Sequence, residues 1–203
     1  MFAESVLIRM ICEKIKVIMN DTLIKITAFA DKAHGDQRRK YRDERYINHP
    51  VRVMQTCEQY LPTLPVLAAA LLHDVLEDTD TGKNEMRNFL LTLMNDNDVS
   101  MTMRLVIELT DVYTKEDYPR LNRRKRKKLE RERLEKVSAE AQTIKYADII
   151  DNSTDVRSQD NDFALVFLNE CKLLLEVMTK GNKELRGEAI EVVDEELHQL
   201  EDN

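Results

Sequence analysis

The sequence predicts an all-α protein, and three features of its 203 residues lead to that prediction. Leu, Ala, Glu, Lys and Met, all good helix formers, are abundant. Only four Gly and four Pro are present, which is too few for a chain of many tight turns. Apolar residues also recur at helical spacing along almost the whole chain. Residues 106–110 are the best candidate for a strand, but a helix fits their neighbours better.

The residue pattern in the first half of the chain predicts four helices. Residues 3–19 form an amphipathic stretch, and a second helix follows that runs to about His34. After a polar loop, Asn48 is expected to cap a third helix, which has Pro50 in its first turn. Residues 66–72 are apolar on all sides, which is typical of a buried central helix.

The second half of the chain continues the helical period, and we predict six further helices there. They cover approximately residues 83–95, 99–110, 121–136, 138–156, 160–180 and 183–200. As a domain organisation we predict an extension helix over residues 1–20, a central domain over residues 21–180, and an acidic helix over residues 181–203. We expect this last helix to pack on the central domain or to extend from it.

The bulk composition indicates a globular protein of the cytoplasm. Hydrophobic residues make up 42% and charged residues 34% of the chain, which excludes a disordered protein. No apolar run reaches the roughly 18 residues that a membrane span requires, and charged residues interrupt the N-terminal stretch. The three cysteines are far apart in the sequence and odd in number, so we expect reduced thiols.

The charge is unevenly distributed along the chain. The net charge of −7 argues against a general nucleic-acid binder. Residues 120–133 nevertheless carry nine Lys and Arg against two Glu, whereas residues 184–202 are strongly acidic. A basic segment in an acidic protein indicates a site for one particular anion. A solvated helix face is the alternative interpretation of this segment.

The pair His73-Asp74 is the strongest indication of chemistry. It ends the apolar helix and is followed closely by Glu77 and Asp78. Charged groups are costly to place beside a buried helix unless something pairs with them. A divalent cation would do so, since imidazole and carboxylate groups are common metal ligands.

Two other segments offer the same kinds of ligand. His49 stands at the start of a predicted helix, and Asp148 lies inside an otherwise apolar-periodic helix. Asn152 follows Asp148 by one turn and therefore shares its face of the helix. The order along the chain is a histidine, a histidine-aspartate pair, and an aspartate.

This order and spacing resemble the HD superfamily of metal-dependent phosphohydrolases. Four segments are more closely similar to the hydrolase domain of RelA/SpoT-type stringent-response enzymes, and above all to the stand-alone small alarmone hydrolases. These segments are residues 33–40 (AHGDQRRK), 46–50 (YINHP), 69–79 (AALLHDVLEDT) and 144–148 (IKYAD). The match covers approximately residues 21–180. The acidic doublet after the histidine-aspartate pair makes it specific, because many other HD enzymes lack that doublet.

The resemblance implies an HD-type helical bundle with a single metal site. Its metal ligands, usually for Mn²⁺, are matched here by His49, His73, Asp74 and Asp148. Its acids that orient and deprotonate the attacking water are matched by Glu77 and Asp78. Those two follow Asp74 by one helical turn, which independently places them toward the metal side.

The resemblance also implies residues that bind the substrate. Arg39 and Lys40 match an Arg-Lys pair that contacts phosphates or base, and Asn152 matches an asparagine that lines the site. Arg124 and Lys125 resemble a second Arg-Lys element, although the many basic residues around them leave the register open.

The chain departs from the family pattern at Asp151, which stands where a histidine is frequent. In the family that histidine is not a metal ligand, so the resemblance implies that the metal site is retained. We expect an extra negative charge near the pocket, with an effect on the preference for base or phosphate.

The expected function is therefore metal-dependent removal of the 3′-pyrophosphate from a guanosine or adenosine alarmone such as ppGpp. No second domain with synthetase motifs is found in the sequence. One alternative is an HD-type phosphatase that acts on another phosphorylated nucleotide, for example NADPH. Another is a non-catalytic nucleotide-binding module. The expected partner is a small nucleotide, with no nucleic acid and no membrane, and the oligomeric state is left open.

Overall fold

The computed structural model describes residues 21–40, 42–156 and 161–201, and within these ranges it contains helices and no β-strand. The all-α prediction is thereby confirmed. The described helices are α1 (residues 21–34), α2 (Asn48–Tyr60), α3 (Leu64–Leu72), α4 (Val75–Asp78), α5 (Lys83–Leu91), α6 (Asp96–Leu109), α7 (Arg123–Leu134), α8 (Ala139–Val156), α9 (Asn161–Val177) and α10 (Lys183–Glu201). The helix predicted over residues 1–20 lies outside the described residues.

Helix α3 is the centre of the bundle. Every residue from Pro65 to Leu72 is buried, because the helix is apolar on all faces and packs against α2, α6 and α8. Burial of this apolar helix stabilises the fold by removing its whole surface from water. Its C-terminal end also fixes His73 and Asp74 inside the bundle, at the start of the short helix α4.

Helix α8 is the second central helix, and it contacts α2, α3, α6, α9 and α10. Its N-terminal half is held by Tyr146, which is fully buried and whose hydroxyl donates to the carbonyl of Met178 at 2.6 Å. Its other half buries acidic side chains, among them Asp148, Asp151 and Asp155. Such buried acids need partners, and those partners define the candidate site.

The N-terminal ends of α2 and α6 differ from the predicted ones because their N-cap residues differ from those expected. Asn48 is not a cap, because it lies in the first turn of α2 and its side chain donates to Glu44 at 3.1 Å. Helix α6 begins at Asp96, earlier than predicted, since the Asn95 side chain accepts from the amides of Asn97 and Asp98. The segment at 106–110 continues this helix to Leu109 and is not a strand.

The loop between α1 and α2 and the last helix α10 both pack near α8. The loop begins at Gly35, whose positive φ of 56° terminates α1 in the left-handed conformation. Helix α10 packs against α8 and α9, although the domain boundary drawn before it stays a prediction. Among the described residues, no helix is both long and apolar enough to span a membrane.

Candidate metal and active site

The candidate site is a cavity of about 370 Å³. One part of its wall carries the histidine and acidic residues of the α3–α4 junction and of α8. A second part is the basic face of α7, and a third is an apolar surface of α9 that includes Phe163 and Phe167. An anionic group and an apolar group can therefore be bound side by side in it.

The four predicted metal ligands come together from three parts of the chain. Suitable atoms of His49, His73 and Asp74 all lie within 4.8 Å of one another. The Nε2 atoms of His49 and His73 lie 3.5 Å and 3.2 Å from Asp74 Oδ2. The same two nitrogens lie 3.1 Å and 3.6 Å from Asp148 Oδ1. The structure therefore brings the four side chains together at one place.

Both histidines are oriented from their Nδ1 atoms. His73 Nδ1 donates to the carbonyl of Ala70 at 2.8 Å, and His49 Nδ1 donates to Asp151 at 2.6 Å. Each Nε2 then faces the carboxylates of Asp74 and Asp148, where it would offer its lone pair to a cation once it is unprotonated. Orientation through the second ring nitrogen is what metal-bound histidines generally require.

The charge of the cluster also favours a cation. Burial by itself lowers the pKa of His73, but Asp74 and Asp148 outweigh that effect and raise it well above the ordinary value of a histidine. Buried His73 Nε2 has no hydrogen-bond partner among the described residues, although carboxylate oxygens surround it. The donor set of two imidazoles and two carboxylates therefore fits a divalent cation.

Glu77 and Asp78 both open onto the cavity, next to this cluster. Glu77 accepts the backbone amide of Asp111 at 3.0 Å. Burial of its carboxyl group and the charge of Asp111 raise the pKa of Glu77 to about 7, which suits a group that exchanges protons near neutrality. Asp78 lies 2.9 Å from the Tyr46 hydroxyl, which is also 2.7 Å from Asp74.

Three of the predicted substrate-binding residues, one on α8 and two in the loop after α1, occupy different environments. Asn152 lines the cavity, donates to Asp148 at 2.6 Å, and accepts from Arg39 at 2.7 Å. Arg39 is not part of the cavity wall, because its guanidinium is buried and paired with Asp155 at 3.0 Å. Lys40 is exposed and its Nζ lies 5.1 Å from the ring centre of Phe163, at the edge of the site.

The basic helix α7 meets the cavity in a different register from the one considered. Arg124 and Lys125 are exposed and do not line the cavity. Arg123, Lys127 and Arg131 line it instead, since a spacing of four residues places them on one helical face. That spacing was present in the sequence, but the cations at neighbouring positions do not distinguish this face of the helix from the others.

The three cations differ in their partners. Arg123 makes a bidentate ion pair with Glu170, and Lys127 lies 3.1 Å from Asp111. Arg131 has no ion-pair partner within the parts of the chain that the structure describes. Its guanidinium is consequently the most available of the three to an anionic ligand.

The sequence analysis assigned no role to three further polar residues of the site. Lys145 lines the cavity and donates to Asp148 at 2.7 Å, and its spacing of three residues from Asp148 on one helix was the available indication. Tyr46 and Asp111 contact the catalytic candidates as described. Asp151 does not line the cavity, but its carboxylate lies close to it and is paired with His49 and Arg52.

The site falls within a region of similarity to known proteins. The HD domain family matches residues 46–153. Human guanosine-3′,5′-bis(diphosphate) 3′-pyrophosphohydrolase MESH1 is 36% identical over 137 residues, which are 66% of this chain and 69% of the human protein. The MESH1 of Drosophila melanogaster is 36% identical over 132 residues, or 64% and 66% of the two chains.

Similarity extends to a bacterial protein and to a solved structure. The guanosine-3′,5′-bis(diphosphate) 3′-pyrophosphohydrolase of Aquifex aeolicus is 44% identical over 59 residues, which are 29% of this chain and 8% of that protein. The structure of a metazoan ortholog of SpoT, described as hydrolysing ppGpp and acting in starvation responses, superposes with a TM-score of 0.70 at 28% identity. The superposition covers 88% of this chain and 94% of that one.

Proposed function

The chain belongs to the HD domain family and to its group of guanosine-3′,5′-bis(diphosphate) 3′-pyrophosphohydrolases, and from this we propose that it removes the 3′-pyrophosphate of an alarmone such as ppGpp. The observation that carries the proposal is the composition of one cavity. One histidine and two aspartates suited to a cation, a glutamate with a raised pKa, and a basic helical face line the same space, and His49 lies beside that histidine.

We assign the cation to His49, His73, Asp74 and Asp148. A ligand set of two carboxylates and two imidazoles suits Mn²⁺ better than the thiolate-rich set of a tight zinc site would suit it. We therefore propose Mn²⁺ as the resident ion. A divalent cation at such a site lowers the pKa of a bound water and polarises a phosphoryl oxygen.

Glu77 is the proposed general base. Its carboxylate faces the cavity, is oriented by the amide of Asp111, and has a pKa near neutrality. It accepts a proton from the attacking water, whose oxygen bonds to the phosphorus attached to O3′. The bond between O3′ and phosphorus breaks, pyrophosphate leaves, and O3′ takes up a proton. Asp78 holds the Tyr46 hydroxyl beside Asp74 and keeps this part of the site in place.

The substrate is proposed to be held by cations from two directions. Lys145 lies beside Asp148 on α8, and Arg131 with Lys127 reaches the cavity from α7. Cations on separate elements suit a nucleotide with two separated anionic groups, because both sets then have a partner. We propose that Arg39 acts through its hydrogen bond to Asn152 and that Lys40 acts at the edge of the site.

The compartment is proposed to be the cytoplasm. Cys57 and Cys171, the two cysteines in the described part of the chain, are free and buried, which is compatible with a reducing environment.

A panel of nucleotides tests the proposal. The full chain is loaded with Mn²⁺ and incubated with ppGpp, its adenosine analogue, NADPH and a simple nucleoside monophosphate, while pyrophosphate and phosphate are assayed separately. We expect pyrophosphate from one of the two alarmones. Phosphate released from NADPH without pyrophosphate from either alarmone would contradict the proposal in favour of a nucleotide phosphatase. Binding without any product would indicate a non-catalytic module.

A further inference from the structure

Asp151 links the candidate metal ligand His49 to an arginine. One oxygen of its carboxylate, Oδ2, accepts from His49 Nδ1 at 2.6 Å. The other, Oδ1, accepts from Arg52 Nε at 2.5 Å, and Arg52 Nη2 lies 3.1 Å from Oδ2. Arg52 is in turn paired with Glu44 at 2.8 Å. The four side chains form a continuous hydrogen-bonded network from the loop before α2 to the candidate metal ligand.

Helices α2 and α8 contribute to this network in the same way. His49 and Arg52 are separated by one turn of α2, and Asp148 and Asp151 are separated by one turn of α8. Each helix therefore supplies one ligand and one supporting residue on the same face. The side chain of His49 is only 1% exposed and that of Asp151 is 10% exposed, so water competes little for the hydrogen bond between them.

The tautomer of His49 depends on this contact. A neutral imidazole carries its proton on either nitrogen. With the proton on Nε2 it would donate to Asp148, which lies at 3.1 Å, and no lone pair would remain for a cation. With the proton on Nδ1 it donates to Asp151, a carboxylate that Arg52 holds in place. In the neutral imidazole, Asp148 and Asp151 compete for the single ring proton. Only a proton on Nδ1 leaves the lone pair of Nε2 free to bind a cation.

We propose that Asp151, held by Arg52, is a positioning residue for His49 that fixes its Nδ1–H tautomer and thereby sets the affinity of the site for a divalent cation. The inference rests on the proposed function only in taking His49 as a ligand of such a cation. It gives Asp151 a role in ligand orientation in place of one in substrate preference.

The competing explanation is that Asp151 only joins α2 to α8 through its ion pair with Arg52. Removing a partner from a half-buried ion pair destabilises a fold whether or not a metal binds. Stability alone therefore does not discriminate between the two explanations, whereas the intrinsic affinity for the ion does.

The test measures Mn²⁺ binding by electron paramagnetic resonance of the free ion, in the full chain and without any nucleotide. Asp151→Asn keeps the size of the side chain and removes its charge, and we expect the dissociation constant to rise about 10–100-fold, as for other residues that support a metal-bound histidine. Arg52→Gln should weaken binding in the same direction but less. Asp194→Asn, which removes a carboxylate paired with Lys172 on the distant α9–α10 surface, should leave the constant unchanged.

Wild-type affinity in Asp151→Asn, with or without a lowered melting temperature, would overturn the inference. If Asp151→Asn does not fold, the measurement on Arg52→Gln decides, and an unchanged constant there would overturn it equally. The outcome is independent of the substrate. Weakened Mn²⁺ binding in a protein that cleaves no alarmone would leave the inference standing and refute the proposed function.

Discussion

Replacing Glu77 by glutamine separates proton transfer from binding. The amide oxygen of glutamine can still accept the backbone amide of Asp111, which the glutamate accepts at 3.0 Å, so the local geometry is retained. The side chain can no longer take a proton from water. Neither the cluster of His49, His73 and Asp74 nor the basic face of α7 is altered.

The expected loss follows from the role of a general base. Such groups contribute about 10²–10⁴-fold to the rate. At about 1.36 kcal/mol for each factor of ten, Glu77→Gln should raise the barrier by about 2.7–5.4 kcal/mol. The Michaelis constant and the affinity for Mn²⁺ should remain near those of the wild type, because the substitution removes no proposed ligand of either.

The assay is the initial rate of pyrophosphate release from ppGpp at saturating Mn²⁺, combined with a direct titration of the ion. Glu85→Gln is the matched control, since Glu85 is exposed on α5 and does not line the cavity. Turnover of Glu77→Gln within a few fold of the wild type would refute the assignment. A loss of Mn²⁺ binding together with activity would show that Glu77 belongs to the metal site instead.

Further predictions concern pH, substrate binding and packing. Because the base form of Glu77 exists above its pKa of about 7, kcat/KM should fall as the pH decreases through 7, or through a lower value where a bound cation lowers this pKa. Asp111→Asn removes a charge that raises that pKa, so the acid limb should move down by roughly half to one pH unit. In steady-state kinetics, Arg131→Ala should raise KM and weaken the salt dependence of kcat/KM, whereas exposed Arg124→Ala should change neither. In thermal unfolding, Gly181→Ala should destabilise the fold by about 1–3 kcal/mol, since its Cβ would lie 2.5 Å from a ring carbon of a buried tyrosine. An alanine in place of the glycine within α10, where a Cβ meets nothing within 4 Å, should stabilise it slightly. Equal effects of Arg131→Ala and Arg124→Ala would contradict the cavity geometry. Equal effects of the two glycine substitutions would contradict the packing.

The clustering of His73, Asp74 and Asp148 in the interior was predictable because these residues carry local signs of burial. His73 and Asp74 end a helix that is apolar on all faces, and such a helix has to be central. Asp148 interrupts an apolar-periodic helix in the same way. In each case a polar residue stands where the sequence alone predicts a buried position, which is costly without a partner.

The orientation of α7 was not predictable from its charges. A cation stands at nearly every position of the segment, so charge alone does not say which face meets the cavity. The face is set by Glu130, which is buried and accepts the backbone amides of Val112 and Tyr113. From the sequence alone, a glutamate among so many basic residues is expected at the surface. Its burial becomes clear only once its backbone partners are known.

The partners of the acids on α8 also required the structure. Asp151 and Asp155 are paired with Arg52 and Arg39, which lie about a hundred residues earlier in the chain. Helical spacing identifies the face on which these acids lie, but it does not identify what crosses from another element. The family resemblance predicted that Arg39 contacts substrate, and it did not indicate that the Arg39 guanidinium is paired with Asp155.

Hydrolysis of ppGpp in water enriched in ¹⁸O tests the central claim most directly. If the Mn²⁺-loaded chain attacks the phosphorus attached to O3′, one ¹⁸O atom should appear in the released pyrophosphate and none in the GDP that remains. Mass spectrometry of the two products reads this outcome without ambiguity. Labelled GDP, release of orthophosphate alone, or an unchanged substrate would contradict the account.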